Sequence, residues 1–346
     1  MTAPCAVNKI RAVGGTRCLQ QAWPVNVAII ATLATGVAFG AERHAPNAYP
    51  QRPLRMIVPF TPGGGADAIA RIVSLYLTDS LQQAVVVDNR SGAGGVIGAD
   101  LAAKAPADGY TLLFGSPGPL TVNPNLQLKI PYHPLRDFRA LTQVSSSPLV
   151  LVLNPSVPAA SVKGFIALAK AKPGTLNFGS AGNGSIEHLG AELFKALAGV
   201  DLVHIPYKGT GPALTDLFGG RIQLLFENLP PVLPHIRAGK LNAIAVGSAA
   251  RSTFLPDLPT IAEAGVVGYE ASSWFGLLVP AQTPASIIAL LNQIITAVIK
   301  SAAVRERFSL LGAEPAATTP KEFEHHLKAK LEEVARLVKL AGIKAE

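Results

Sequence analysis

The chain has 346 residues with 30 basic and 22 acidic side chains, a net charge of +8 with histidine neutral, and a hydrophobic fraction of 49%. Both cysteines, Cys5 and Cys18, fall within residues 1–40, so disulfides and thiol catalysis are excluded from everything that follows. The basic excess is mild and scattered, with no Arg/Lys cluster interleaved with aromatics, which argues against nucleic acid as a partner.

Lys9, Arg11 and Arg17 form a positive leader ahead of a nearly continuous apolar run at 25–38, and Ala38-Phe39-Gly40 presents small residues where a signal peptidase reads. Residues 1–40 are therefore expected to be a signal peptide, and the protein to be exported in soluble form. A retained N-terminal anchor is the competing reading, although the run is shorter than the roughly 18 to 20 residues of a membrane span. Removing the leader takes away Lys9, Arg11 and Arg17 but no acid, and lowers the net charge from +8 to +5. The roughly 306 residues that remain exceed what one compact core usually serves, so two domains are expected.

The pattern predicts a strand over 54–60, three consecutive glycines at Gly63, Gly64 and Gly65, and a helix over 68–80 with Asp67 as its N-cap. Bare glycines let a ligand approach the main chain, and the first turn of a helix presents unpaired N–H groups and the positive end of its dipole, a seat for an anion. A tight turn is the bland alternative. A second strand at 84–88 leads through the glycine-rich turn 89–95 to a helix at 96–105, and a third strand at 110–114 stops at Gly115-Ser116-Pro117. This βαβαβ order predicts a parallel sheet whose ligand edge, the carboxyl ends of the strands, gathers all three glycine-rich stretches.

Residues 119–139, rich in Pro and Asn, read as a long irregular excursion. A second series begins with a strand at 149–153, a helix at 162–171 capped by Ser161, and a strand at 176–179. Gly179-Ser180-Ala181-Gly182-Asn183-Gly184-Ser185 then runs into a helix at 186–198, repeating the succession of strand, bare loop and helix start. Beyond it come strands at 203–206 and 222–226, the latter ending at Glu227-Asn228, with a helix at 212–218 between them. A short helix at 231–238, strands at 241–246 and 274–279, a long helix at 283–301 and a charged amphipathic helix at 321–340 complete the chain. Two anion-type loops, one from each half, would make a cleft.

No convincing catalytic set emerges. Gly115-Ser116-Pro117-Gly118 and Gly182-Asn183-Gly184-Ser185 both lack the Gly-x-Ser-x-Gly of a nucleophile elbow. The triple-glycine loop lacks the Lys-Ser/Thr pair of a phosphate loop, and Gly92, Gly94 and Gly98 miss the dinucleotide spacing by a single residue. The 7 histidines show no metal-ligand spacing, so neither metal nor cofactor is expected. His325 and His326 are assigned to a solvated helix face, and His188 either points into the cleft or is structural. Binding fares better on energetics. A carboxylate gripped by several main-chain N–H groups and a hydroxyl gains about 1.5–3 kcal/mol per charge-assisted bond. Three or four such bonds offset an association cost of at least roughly 4 kcal/mol and still leave micromolar affinity, about −8 kcal/mol, without a cationic side chain.

Pro59-Phe60-x-Pro62-Gly63-Gly64-x-x-Asp67, Asn89-Arg90-x-Gly92-Ala93-Gly94-Gly95-x-x-Gly98 and Asp108-Gly109-Tyr110-Thr111-Leu112 together resemble the Bug-type solute receptors, the periplasmic binding proteins of tripartite tricarboxylate transporters. Asn177-Phe178-Gly179-Ser180-Ala181-Gly182-Asn183-Gly184-Ser185-x-x-His188-Leu189, His204-x-Pro206-Tyr207-Lys208-Gly209 and Leu258-Pro259-Thr260 are similar to that family too. The resemblance runs in order from Tyr49 to the last helix. It implies an α/β, two-lobed periplasmic-binding-protein fold, type II-like and of the Venus-flytrap kind, with a mainly parallel sheet and flanking helices in each lobe. It implies lobe 1 at 46–147 and 273–346, lobe 2 at 148–272, crossings near Ser147 and Ser272, and final helices that rejoin the first lobe. It also implies a periplasmic monomer whose ligand-binding residues are Phe60, Gly64, Ala66, Asp67 and Ser116 in the first lobe and Ser180, Asn183, Gly184, Ser185 and His188 in the second. One departure stands out: Glu227 occupies the place of an aspartate that in many relatives faces the distal end of the ligand. It either contacts the ligand, reading an ammonium or hydroxyl, or is a helix-capping or hinge carboxylate.

The leading expectation is an extracytoplasmic receptor without enzymatic activity that captures a small organic carboxylate between its lobes for uptake or sensing, with membrane permease subunits or a sensor as partners. The alternative is an exported hydrolase acting on an acidic small molecule, with His188 as base near Ser185.

Overall fold

Three short apolar runs, β1 (Leu54–Val58), β2 (Val85–Asn89) and β3 (Thr111–Gly115), lie side by side in the computed structural model, which describes residues 49–126 and 129–343. The leader and its cleavage motif at 1–40 lie outside the described residues. β1 is the middle strand and pairs in parallel with both neighbours, so the loops after all three strands emerge on one edge. Helices α1 (Gly65–Leu81) and α2 (Val96–Ala103) make the crossovers, and α1 buries Ile69, Ala70, Val73 and Leu77 on one face. α1 begins earlier than the sequence predicts. Gly64 is its N-cap and Asp67 stands inside the first turn, where an acid is favoured by the helix dipole. The Asp67 carboxylate reaches back to accept the Gly63 N–H at 3.1 Å, serving the loop from inside the helix.

The excursion after β3 is helical at its start: Gly118–Val122 forms a π-type turn that runs into α3 (Asn123–Asn125). Next comes β4 (Phe138–Leu153), 16 residues long, of which the sequence predicts only 149–153 because Ser145-Ser146-Ser147-Pro148 looks like a break. Up to Pro148 it lies antiparallel to β9 (Ser272–Pro280); from Leu149 it lies antiparallel to β7 (Leu224–Asn228) and β8 (Asn242–Val246). Two sheets thus share one strand, in the order β2-β1-β3-β9-β4-β7-β5-β6, where β5 is Asn177–Ser180 and β6 is Val203–Pro206. β5 runs parallel to both β6 and β7. Parallel pairing is therefore confined to the outer part of each sheet, and β4 and β9, which link them, are antiparallel to their neighbours.

The remaining helices are α4 (Val162–Ala171), α5 (Ile186–Ala198), α6 (Thr210–Phe218), α7 (Leu229–Arg237), α8 (Ala285–Lys300), α9 (Ala302–Leu310) and α10 (Pro320–Ala341), and β10 (Glu314–Pro315) adds a short pair to β4. Ser161 caps α4 by accepting the Gly164 N–H, as its position predicts. Ser301 ends α8 and caps α9, a helix whose weak periodicity hid it from the sequence reading. Among the described residues no single helix is long and apolar enough to cross a membrane.

α10 packs on both sheets. Its first half packs Phe323 and Leu327 against Trp274 and Leu278 of β9, but Val334 and Val338 further along join the core of Leu149, Phe194 and Phe226 on the second sheet. His326 rests edge-on against Trp274 at 5.5 Å, so it is half-buried and not part of a solvated face. The join depends on Gly276, where a Cβ would strike the Phe323 ring. Phe323→Ala is expected to cost about 3–5 kcal/mol of stability, read as a lower urea midpoint; a loss below about 1 kcal/mol would show that α10 does not clamp β9.

Candidate functional site

Residues that follow β1 and β3 or lie on β9 in the first sheet, and residues that follow β5 and β6 or end β7 in the second, line one cavity with an empty volume of about 350 Å³. The first wall is Phe60, Gly64, Gly65 and Ala66 at the start of α1, Ser116 and Gly118 after β3, and Ser273 and Phe275 from β9. The second is Ala181, Ile186 and Glu187 at the start of α5, Thr210 at the start of α6, and Asn228 at the end of β7.

Three helices, α1, α5 and α6, therefore begin at the cavity, each bringing the positive end of its dipole, and at α1 the first-turn N–H groups lack intrahelical partners. Gly64 and Gly65 let the main chain of α1 come close to the opposite wall: a Cβ on Gly64 would lie 3.2 Å from Cβ of Thr210, and one on Gly65 3.3 Å from Cδ of Pro231. Ser116, Ser273 and Asn228 are 3%, 1% and 4% exposed, yet both serine hydroxyls and the Asn228 Oδ1 have no hydrogen-bond partner among the described residues. Buried polar atoms are nearly always paired, so three orphans on one cavity mark a surface built to receive something polar. No lysine or arginine is among the described lining residues, and Glu187 is the one ionisable group.

Glu227 stands one step behind this wall. It is fully buried, and its Oε1 accepts from the Thr210 hydroxyl at 3.2 Å, the Asn228 N–H at 3.0 Å and Asn228 Nδ2 at 3.2 Å. Asn228 Nδ2 also donates to Glu187 Oε1 at 2.6 Å, so one amide bridges two carboxyls. Burial, and then the neighbouring charge of Glu187, push the Glu227 carboxyl well above the usual carboxylate range. Burial also pushes Glu187 up, opposed by its own N–H, the Ser185 hydroxyl and Asn228.

Of the residues singled out in the sequence, Phe60, Gly64, Ala66 and Ser116 line the cavity, and the others lie around it. Asp67 is buried in its own loop, bonded to Gly63 N–H, to Arg71 at 3.0 Å and to Asn89 Nδ2 at 3.0 Å. Ser180 bonds His204 Nε2 at 2.6 Å, and His204 stacks on His188 at 4.1 Å. Burial, with Lys195 nearby, lowers His188 to about 4; burial, His188 and Lys195 lower His204 to about 3, so both rings are neutral. His188 Nδ1 accepts the Gly184 N–H at 3.2 Å, and the Ser185 hydroxyl caps α5 by accepting the His188 N–H at 3.3 Å. The pair considered as nucleophile and base is thus engaged in building a loop and a helix start. Asn183 and Gly184 lie where that loop meets the first sheet: a Cβ on Gly94, which has φ +57°, would strike the Asn183 carbonyl, and Asn123 Nδ2 donates to the carbonyls of Gly184 and Gly118, both at 3.1 Å.

Glu187, Thr210, Asn228, Ser273 and Phe275 escaped the sequence reading. Glu187 and Thr210 carried a signal, each standing in the first turn of a helix that follows a glycine loop. Ser273 and Phe275 carried none, because only the pairing of β9 with β3 and β4 brings them to the cavity.

An α/β fold of two sheets sharing a strand, with helix starts converging between them, is that of the periplasmic binding proteins. The chain belongs to the tripartite tricarboxylate transporter family receptors, whose family model matches residues 69–343. These are solute-binding receptors and not enzymes. The chain is 46% identical over 299 residues to Protein BugT of Bordetella pertussis, covering 86% of this chain and 92% of that one. The solved structure of R. palustris Rpa4515 with adipate is 39% identical, with a TM-score of 0.83 over 86% of this chain and 99% of that one. The periplasmic binding protein BugD is 33% identical, also with a TM-score of 0.83, over 86% and 100%.

The buried acid sets a pH dependence. Unfolded, Glu227 loses its proton near the ordinary value of about 4.3. Folded, it holds the proton to higher pH, so the native state binds more protons and its stability falls as pH rises out of that range. Glu227→Gln keeps the acceptor and removes the titration. It is expected to flatten the decline of melting temperature between about pH 5 and 8; a slope identical to wild type would contradict the assignment.

Proposed function

We propose that this protein is an extracytoplasmic receptor that closes on a small organic carboxylate between its two lobes. The carboxylate sits over the start of α1, on the N–H groups of Gly65 and Ala66 and the hydroxyls of Ser116 and Ser273, while the starts of α5 and α6 add positive potential from across the cleft. The observation that carries this reading is the meeting of three helix starts and unpartnered buried hydroxyls in a cavity without a lysine or arginine among its described lining residues. Four charge-assisted bonds at about 1.5–3 kcal/mol each sum to about 6–12 kcal/mol, which offsets an association cost of at least roughly 4 kcal/mol and reaches micromolar binding, about −8 kcal/mol, at the upper end. The adipate in Rpa4515 supports a carboxylate as the class of solute.

In this reading lobe 1 is 46–147 with 273–346, lobe 2 is 148–272, and the hinge is where β4 changes partner at Pro148, with α10 spanning both. Phe60, Gly64, Ala66 and Ser116 touch the solute. Asp67, Ser180, Asn183, Gly184, Ser185 and His188 shape the two loops, and Glu227 acts through Asn228 and Thr210. Residues 1–40 direct export to the periplasm, where the protein works as a monomer and hands its solute to membrane permease subunits or a sensor.

Calorimetric titration with di- and tricarboxylates, hydroxy acids and amino acids tests the reading. Saturable binding of at least one organic acid is expected, with Ser116→Ala weakening it by roughly tenfold or more through the lost hydrogen bond to a charged group. Folded protein that binds no organic anion would contradict it.

A further inference from the structure

The two walls of the cavity differ in kind. On the first, α1 offers main-chain donors and Ser116 a hydroxyl. On the second, the polar side-chain atoms facing the cavity are mostly acceptors, the Glu187 carboxyl and the unpartnered Oδ1 of Asn228, while Glu227 behind them keeps its proton. The one amide donor there, Asn228 Nδ2, is already divided between Glu187 and Glu227, and those two oxygens fix which way the amide points. The helix starts on this side are thinned as well. α7 carries Pro230 and Pro231 in its first turn and α6 carries Pro212, each lacking an N–H. At α5 the Glu187 carboxyl and the Ser185 hydroxyl take up first-turn donors themselves. A solute with a carboxylate at each end would set its second negative charge against the buried Glu187 carboxylate and the Asn228 Oδ1, with the Asn228 amide already engaged.

We propose that Glu187 is a specificity-determining residue: its carboxylate takes a hydrogen-bond donor on the solute, a hydroxyl or an ammonium, and turns away a second carboxylate. This rests on the carboxylate reading above and narrows it to hydroxy- or amino-carboxylates. Glu187 is 4% exposed and lines the cavity, so a donor from the solute would satisfy a buried acid that otherwise has only an amide and its own helix start for partners.

The test is calorimetric titration of the full mature protein with matched four- to six-carbon acids that carry a methyl, hydroxyl, ammonium or second carboxylate at the far carbon. Wild type is expected to bind a hydroxyl or ammonium member roughly tenfold or more tightly than the matched dicarboxylate, the scale of one unpaired buried charge. Glu187→Gln is expected to erase or reverse that order, with the dicarboxylate gaining about tenfold, and Glu187→Asp, which keeps the charge, to preserve it. If Glu187→Gln does not fold, the wild-type order and Glu187→Asp decide. A wild type that prefers the dicarboxylate, or an order that Glu187→Gln leaves unchanged, overturns the proposal while leaving the carboxylate reading intact. Binding of none of the series or of any other organic acid overturns that reading and this one with it.

Discussion

A helix that starts in glycine at the end of a parallel strand leaves its first N–H groups bare, and much of the structure around α1 keeps them so. The loop before it is held from within: Asp67 takes the Gly63 N–H, Arg71 takes Asp67, and Asn89 at the end of β2 donates both to Asp67 and to the Phe60 carbonyl at 3.1 Å. Burial would raise the Asp67 carboxyl, but the bonds from Arg71, Gly63 and Asn89 outweigh it and hold the group below its usual range, charged and fully occupied. An acid placed beside an anion site is thus spent on the loop and leaves the donors of Gly65 and Ala66 to the cavity. Preorganised main-chain donors need no flexible cation, whose ordering would subtract from affinity.

The second wall is set by a different economy. Two glutamates and an asparagine are buried within a few ångströms, with one amide serving both carboxyls. Burying acids without a cation is costly, and such groups are commonly found where function requires them. The neutral His188 and His204 stack beside Ser180 to stiffen the loop that carries α5, so the position of Glu187 is fixed by packing rather than by charge. The loops of both sheets then meet through main chain at Gly94, Asn183 and Gly184, with Asn123 donating to carbonyls from both sides. Glycine is required at Gly94 and Gly184 by close approach as well as by positive φ.

Local signals made much of this legible. α5 and β6 match the predicted spans, and Ser161 caps α4, because each rests on a capping residue, a glycine or a short apolar run that acts within a few residues. What depends on distant pairing was not legible. β4 looked broken at Ser145-Ser146-Ser147-Pro148 since its two partners, β9 and β7, come from far along the chain, and those same pairings carry Ser273, Phe275 and Asn228 to the cavity. The loop residues Ser180, Ser185 and His188 drew attention because their types suit ligand binding, but their hydrogen bonds serve the loop. Glu187 was hidden by an ordinary explanation, an acid in a first turn, and only its place on the cavity wall sets it apart.

The central claim is that main-chain N–H groups at the start of α1 hold the solute. The most direct measurement is a ¹H–¹⁵N titration of isotopically labelled protein with a carboxylate that binds, followed at Gly65 and Ala66. Both amide protons are expected to move strongly downfield and saturate with the calorimetric affinity, as N–H groups do on meeting a carboxylate. Saturable binding that leaves these two amides unmoved, with the large shifts elsewhere in the molecule, would contradict it.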